Sequence, residues 1–256
     1  MTRRIPAVGL FCLAVAGSAF AQQPPLLSLF PRAEEIRRLE LRADVMMARK
    51  RFPEAAEVYL RAFRLNPKNA PIANKLGIAH FQMQDYGQAK AWYERALKLN
   101  RQFFEPQNNL GMVFYARREY KKARRYFEQA LRLRPESGSA HFNLGATYLG
   151  LKKPDEALGE YRLALLLDPQ ILERRTGPAP TLQTYPVEHI AQFHFILAKS
   201  LATLGDVERC LAYLRRALEE GFRELDRLKT EPEFALLRED VRFQQLLAEP
   251  PRPLQP

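Results

Sequence analysis

Residues 104–137 read FEPQNNLGMVFYARREYKKARRYFEQALRLRPES, and the skeleton of that stretch recurs on both sides of it. Leu110-Gly111 has counterparts in Leu76-Gly77 and Leu144-Gly145, each pair 34 residues from the next. Alanine follows each glycine after twelve residues (Ala89, Ala123, Ala157). An aromatic comes four later (Tyr93, Phe127, Tyr161), and a second alanine three beyond that (Ala96, Ala130, Ala164). Proline closes the later units at Pro135 and Pro169. One period upstream the frame retains Ala55, Tyr59, Ala62 and Pro67, although Arg42-Ala43 stands in place of Leu-Gly. Small residues at two fixed sites let paired helices approach closely, the aromatic fills the space between units, and proline sets the corner because it cannot continue a helix. Units are expected at 36–69, 70–103, 104–137 and 138–171. Arg101 replaces the corner proline of the second, and the first is degenerate, as an end unit with nothing packed outside it should be.

The spacing resembles that of the tetratricopeptide repeat family, W-x2-L-G-x2-Y…A-x3-F…P. The resemblance implies an all-α fold, a right-handed solenoid of helical hairpins whose first helices line a concave surface. After Asp168-Pro169 the rhythm breaks. Gly177-Pro178-Ala179-Pro180 and Tyr185-Pro186 exclude a continuous helix and mark 172–190 as a Pro-rich insertion. Leu197-Ala198, Cys210, Leu214 and Ala217 then resume the pattern 53 residues beyond their counterparts, so a fifth unit is expected at 191–224. Cys210 takes the small-residue slot and reads as buried filler. Residues 225–249 carry Glu231-Pro232-Glu233-Phe234 and Asp240-Val241-Arg242-Phe243. These are similar to the D-P-x-F and D-P-R-F elements that terminate such arrays, with Glu231 and Val241 departing from them. Phe234, Leu237, Phe243, Leu246 and Leu247 are expected to cover the open end of the fifth unit, and 250–256 to be a tail.

The first residues read as an address. Arg3-Arg4 precede an uncharged, largely apolar run from Ile5 to Phe20 that closes on Ala19-Phe20-Ala21, and this predicts a signal peptide cleaved between Ala21 and Gln22. The run is short for a spanning helix and holds Pro6, Gly9 and Gly17. Phe11 before Cys12 departs from a lipobox. The expected mature chain, with a leader at 22–35 and no transmembrane helix, is exported by a bacterial Sec-type route to the periplasm or the exterior. Losing Arg3 and Arg4 and no acid would take the formal charge from +11 to +9. It would also leave Cys210 the sole cysteine, so that packing, not a disulfide, must stabilise the fold.

The 256 residues are 46% hydrophobic and 11% aromatic, which excludes a disordered chain. Signs of catalysis are absent: there is no H-E-x-x-H, no G-x-S-x-G and no phosphate-binding glycine loop. His189 and His194, five apart, would point about 140° from each other on a helix and cannot share an ion. His141 and His194 occupy the same repeat position, which favours packing. No enzyme activity, cofactor or metal is expected. The expected function is a non-catalytic scaffold in the cell envelope that binds another protein or a peptide segment.

The family geometry puts Asn74, Phe81, Asn108, Met112, Tyr115, Phe142 and Phe195 on the concave surface, with Phe81, Tyr115 and Phe142 as anchors. Of the positions that would clamp a terminal carboxylate, only Asn109 carries a suitable residue. The alternative is a binder of polyanions, glycans or an anionic membrane surface through a basic convex face at Arg117, Arg118, Lys121, Lys122, Arg124, Arg125, Arg132 and Arg134. Ala123, Phe127 and Ala130 on the same helix face inward. Export argues against nucleic acid as the partner.

Overall fold

The computed structural model describes residues 31–173 and 187–253. The expected signal peptide, most of the leader and most of the Pro-rich insertion lie outside them. The described residues form an all-α array of helical hairpins with no strand among them. The first helices of the hairpins are α1 (Pro31–Ala48), α3 (Ala70–Gln82), α5 (Phe104–Ala116), α7 (Gly138–Gly150) and α9 (Val187–Thr203). Their antiparallel partners are α2 (Phe52–Leu65), α4 (Tyr86–Leu99), α6 (Tyr120–Leu133), α8 (Pro154–Leu167) and α10 (Val207–Glu219). Two short helices, α11 (Leu225–Thr230) and α12 (Val241–Ala248), flank a 3-10 turn at Pro232–Leu237. Each second helix also packs on the next first helix, so one hairpin stacks on another along the chain.

Local chemistry explains the helix ends. Asn69, Asp85, Ser137 and Asp206 each accept a hydrogen bond from the backbone N–H three residues on, which satisfies one of the otherwise unpaired donors of a first turn. The turn inside each hairpin needs one residue in the left-handed region. Lys50, Gln84, Arg118 and Lys152 hold it with φ of 58–60° at successive 34-residue steps, and Gly205 holds it in the fifth hairpin at 74°.

The recurrent glycines are explained by what faces them. A Cβ on Gly77 would stand 2.4 Å from the Tyr93 ring, on Gly111 2.5 Å from Phe127, and on Gly145 2.8 Å from Tyr161. All three rings are fully buried, as are the alanines that precede and follow them. The periodic pattern is therefore a description of how closely two helices cross.

The insertion does not interrupt the stack. α8 packs directly on α9, and Arg209 Nη1 donates to the Pro169 carbonyl at 2.6 Å. Cys210 is buried in the small-residue slot, and burial pushes its thiol up to about 12. At the far end Phe195 stacks on Phe222 at 4.2 Å and meets Phe234 edge-on at 5.9 Å. Phe234, Leu237, Phe243 and Leu246 are buried and Leu247 half-buried. Lys199, buried on α9, reaches Glu231 at 2.6 Å and Glu233 at 3.1 Å, which ties the terminal segment down with charge as well as area.

Candidate functional site

The first helices differ in how much of their inner side stays open. On α5 every residue from Pro106 to Tyr115 is buried, and on α7 every residue from Phe142 to Thr147. Expectation and structure part here. Asn74, Asn108, Met112, Tyr115, Phe142 and Phe195 were expected to line an accessible surface, and all six are at most 8% exposed. Met112, Tyr115, Phe142 and Phe195 belong to one continuous apolar core. Phe142 stands 5.1 Å from the Tyr161 ring and 6.2 Å from that of Phe193, so it fills space between hairpins. Phe142 and Phe195, each a large ring three residues before a close helix crossing at Gly145 or Ala198, pack inward in this structure.

The amides have a second structural duty. Asn109 Nδ2 donates to Asn74 Oδ1 at 3.1 Å, and Asn143 Nδ2 to Asn108 Oδ1 at 3.2 Å, each pair 35 residues apart. They form a buried polar ladder that links α3 to α5 and α5 to α7, and cross-helix hydrogen bonds of that kind hold the register of neighbouring units. The Asn109 amide is thereby committed.

The inner side of the first two hairpins is different. Phe81, Ile78, Glu40 and Asp44 are half-buried, and Arg37 and Pro71 are exposed. Lys75 Nζ bridges Glu40 at 2.7 Å and Asp44 at 2.8 Å, and Tyr59 donates its hydroxyl proton to Asp44. Burial would lower the Lys75 pKa, yet the two carboxylates carry it above the ordinary lysine value. In the same two hairpins an apolar cleft of about 410 Å³ opens among α2, α3 and α4, lined by Pro53, Ala56, Leu60, Leu76, His80 and Trp92 among others. Trp92 is the chain's single tryptophan and meets Phe63 edge-on at 5.2 Å.

The expected basic residues on α6 and in the turns at either end of it are exposed, apart from half-buried Arg124. Part of their charge is locally matched. Arg117 pairs with Glu119 at 3.0 Å and Lys122 with the same carboxylate, Arg124 with Glu128 at 3.4 Å, and Arg134 with Glu105 at 3.2 Å. Arg134 also lies over the Phe104 ring at 4.2 Å. Arg118, Lys121, Arg125 and Arg132 form no ion pair among the described residues.

Of the histidines, His141 Nδ1 lies 2.6 Å from Glu160 and Nε2 2.9 Å from the Pro135 carbonyl. Both partners are acceptors, so the ring is best satisfied when doubly protonated, and Glu160 raises its pKa. His194 is buried with neither ring nitrogen hydrogen-bonded, and burial, with Arg216 nearby, pushes it down to about 4. The side chain of His189 lies outside the described residues. Among the described residues no three His, Cys, Asp or Glu are grouped to hold a metal ion, and no helix is long and apolar enough to cross a membrane.

Comparison with known proteins agrees with the hairpin geometry. Tetratricopeptide repeat patterns match residues 68–136, 108–170 and 191–220, and a related TPR repeat pattern matches 43–84. The chain is a tetratricopeptide repeat protein, a member of a family of scaffolds that are typically non-catalytic. No curated protein matches it. Among solved structures, PilF of Pseudomonas aeruginosa is similar over 85% of this chain and 99% of its own at 18% identity, with a TM-score of 0.57. MamA from Desulfovibrio magneticus RS-1 (residues 41 to the end) is similar over 73% and 94% at 18% identity, with a TM-score of 0.51. At such identity the likeness is one of fold.

Proposed function

We propose that the chain is an interaction scaffold of the cell envelope that holds a segment of another protein against the inner side of its first two hairpins. The observation that carries this reading is the contrast along the array: the inner sides of α5 and α7 are closed, whereas Ile78 and Phe81 on α3 are half-open beside the Glu40–Asp44–Lys75 cluster. An apolar patch edged by fixed charges suits a short segment that carries a large apolar side chain and a polar or cationic flank. The envelope location rests on the signal-like pattern at 1–21.

A photo-crosslinking residue at position 81 tests the site, with one at 142 as the internal control. Crosslinks to one defined partner from position 81 and none from 142 are expected, and Ile78→Glu with Phe81→Glu should abolish them at an unchanged circular-dichroism spectrum. Equal crosslinking from both positions would overturn the placement. The mass of the chain recovered from fractionated cells tests export: the form beginning at Gln22 is expected outside the cytoplasm, and a form retaining Met1 there would contradict it.

A further inference from the structure

The four helices α2, α4, α6 and α8 each span 14 residues and start and end in the same 34-residue register. Residues 34 apart therefore occupy equivalent places on successive hairpins. Read along their outer sides, one row runs Arg64, Lys98, Arg132, Leu166, and a second runs Arg61, Arg95, Gln129, Leu163. The five cations are exposed, and none forms an ion pair among the described residues. The rows end in an apolar step: Leu163 is 42% exposed, Leu166 58% and Leu167 44%, with Leu133 at 41% beside Arg132. The cationic face is thus longer than one helix, and it is coupled to exposed leucines.

Interaction with the helix dipole accounts for a cation in a last turn, and Arg64, Lys98 and Arg132 each stand there. It does not account for Arg61 and Arg95 a turn earlier. Nor does it account for α8, whose last turn has no cation and exposes Leu166 and Leu167 instead, with Leu163 a turn earlier. Leucines at those places cost solubility, and the described residues leave them exposed.

We propose that this outer face is a peripheral docking surface for an anionic lipid bilayer, with the cation rows against the headgroups and Leu163, Leu166 and Leu167 at the acyl boundary. The combination decides the partner class. Unpaired cations alone would suit any polyanion, but leucines at the end of the same rows have a place to go only where an apolar phase lies just beneath the negative charge. The face is the outer one of a stacked array, and a fluid headgroup layer moulds to such a surface where a folded protein would need a matching hollow. The rows stand on second helices and Ile78 and Phe81 on a first helix, so no residue is shared between the two sites.

The test is flotation of the full chain with vesicles of phosphatidylcholine alone or with added phosphatidylglycerol, at low and high salt. Every variant is compared with the parent so that any contribution from residues 1–30 is common to all. Arg64→Glu, Lys98→Glu and Arg132→Glu together should weaken binding to the anionic vesicles on the order of 100-fold, since each basic residue near such a surface contributes roughly a factor of five. Leu163→Ser with Leu166→Ser should weaken it roughly tenfold while leaving its salt dependence intact. All five positions are exposed, and an unchanged circular-dichroism spectrum confirms that folding is retained. Undiminished binding of the charge-reversed chain would overturn the proposal. Parent-like binding by the leucine variant, with soluble polyglutamate competing equally against both, would also overturn it and assign the face to a soluble polyanion.

Discussion

The fourth and fifth hairpins solve the same packing problem with different residues. Equivalent positions lie 53 residues apart, so Gly145 and Tyr161 in one correspond to Ala198 and Leu214 in the other, and all four are buried. A glycine opposite a large ring has become an alanine opposite a smaller aliphatic side chain. His141 and His194 are equivalent in the same way, yet one has two acceptors and the other none, because Glu160 of the fourth hairpin corresponds to Tyr213 of the fifth. A shared backbone position thus dictates the space a side chain receives, and the neighbouring helix dictates the chemistry it finds there.

The largest effect should come from breaking the small–large match. Gly145→Ala would place a methyl group 2.8 Å from the Tyr161 ring, which Phe142 and Phe193 box in. A loss of about 2–3 kcal/mol is expected in urea unfolding followed by circular dichroism. In the background of Tyr161→Leu, which imitates the fifth hairpin, the same substitution should cost under about 1 kcal/mol. Additive losses would show that the ring and the glycine are not coupled.

The two histidines should respond to acid in opposite directions. The His141 pKa is raised above the ordinary 6.5, so its contribution is complete below 6.5 and is lost as the pH rises through its folded-state value. That of His194 is depressed to about 4, so its contribution is complete above 6.5 and is lost as the pH falls from there toward 4. His141→Leu should therefore cost about 2 kcal/mol at pH 5.5 and less at pH 8. His194→Leu should gain about 1 kcal/mol at neutral pH by removing two unsatisfied buried nitrogens, and more at pH 5. Matched urea curves at the two pH values decide this, and parallel shifts for both variants would refute the contrast.

What was legible in the sequence is the part that recurs. Gly77, Gly111 and Gly145 with their facing rings define the crossings, and the offset of 53 recovers the fifth hairpin across the insertion. The left-handed turn residues are not legible by type, because Lys50, Gln84, Arg118 and Lys152 are not residues that signal a positive φ. Their spacing of 34 was the available clue. The site is less legible. Met112, Tyr115 and Phe142 sit at positions that face inward on a generic array, but periodicity cannot show whether an inner side is open. That depends on every neighbouring side chain at once. Local clustering marks the cations only around α6, whereas equivalence at the 34-residue step joins Arg64, Lys98 and Arg132.

The smallest expected effect makes the fourth hairpin more like the fifth. Gly159 lies within α8, and a Cβ built on it meets nothing within 4 Å; the equivalent residue of α10 is Ala212, which is exposed. No close approach or turn requires glycine there, so its presence only weakens the helix. Gly159→Ala should stabilise the chain by roughly 0.5–1 kcal/mol through helix propensity alone, raising the melting temperature by a few degrees. Gly145→Ala, an identical chemical change fourteen residues earlier in the same hairpin, should do the reverse. The two measured together separate a glycine held by packing from one held by nothing in the fold. Equal signs would mean that the glycine opposite Tyr161 is not what lets these helices cross.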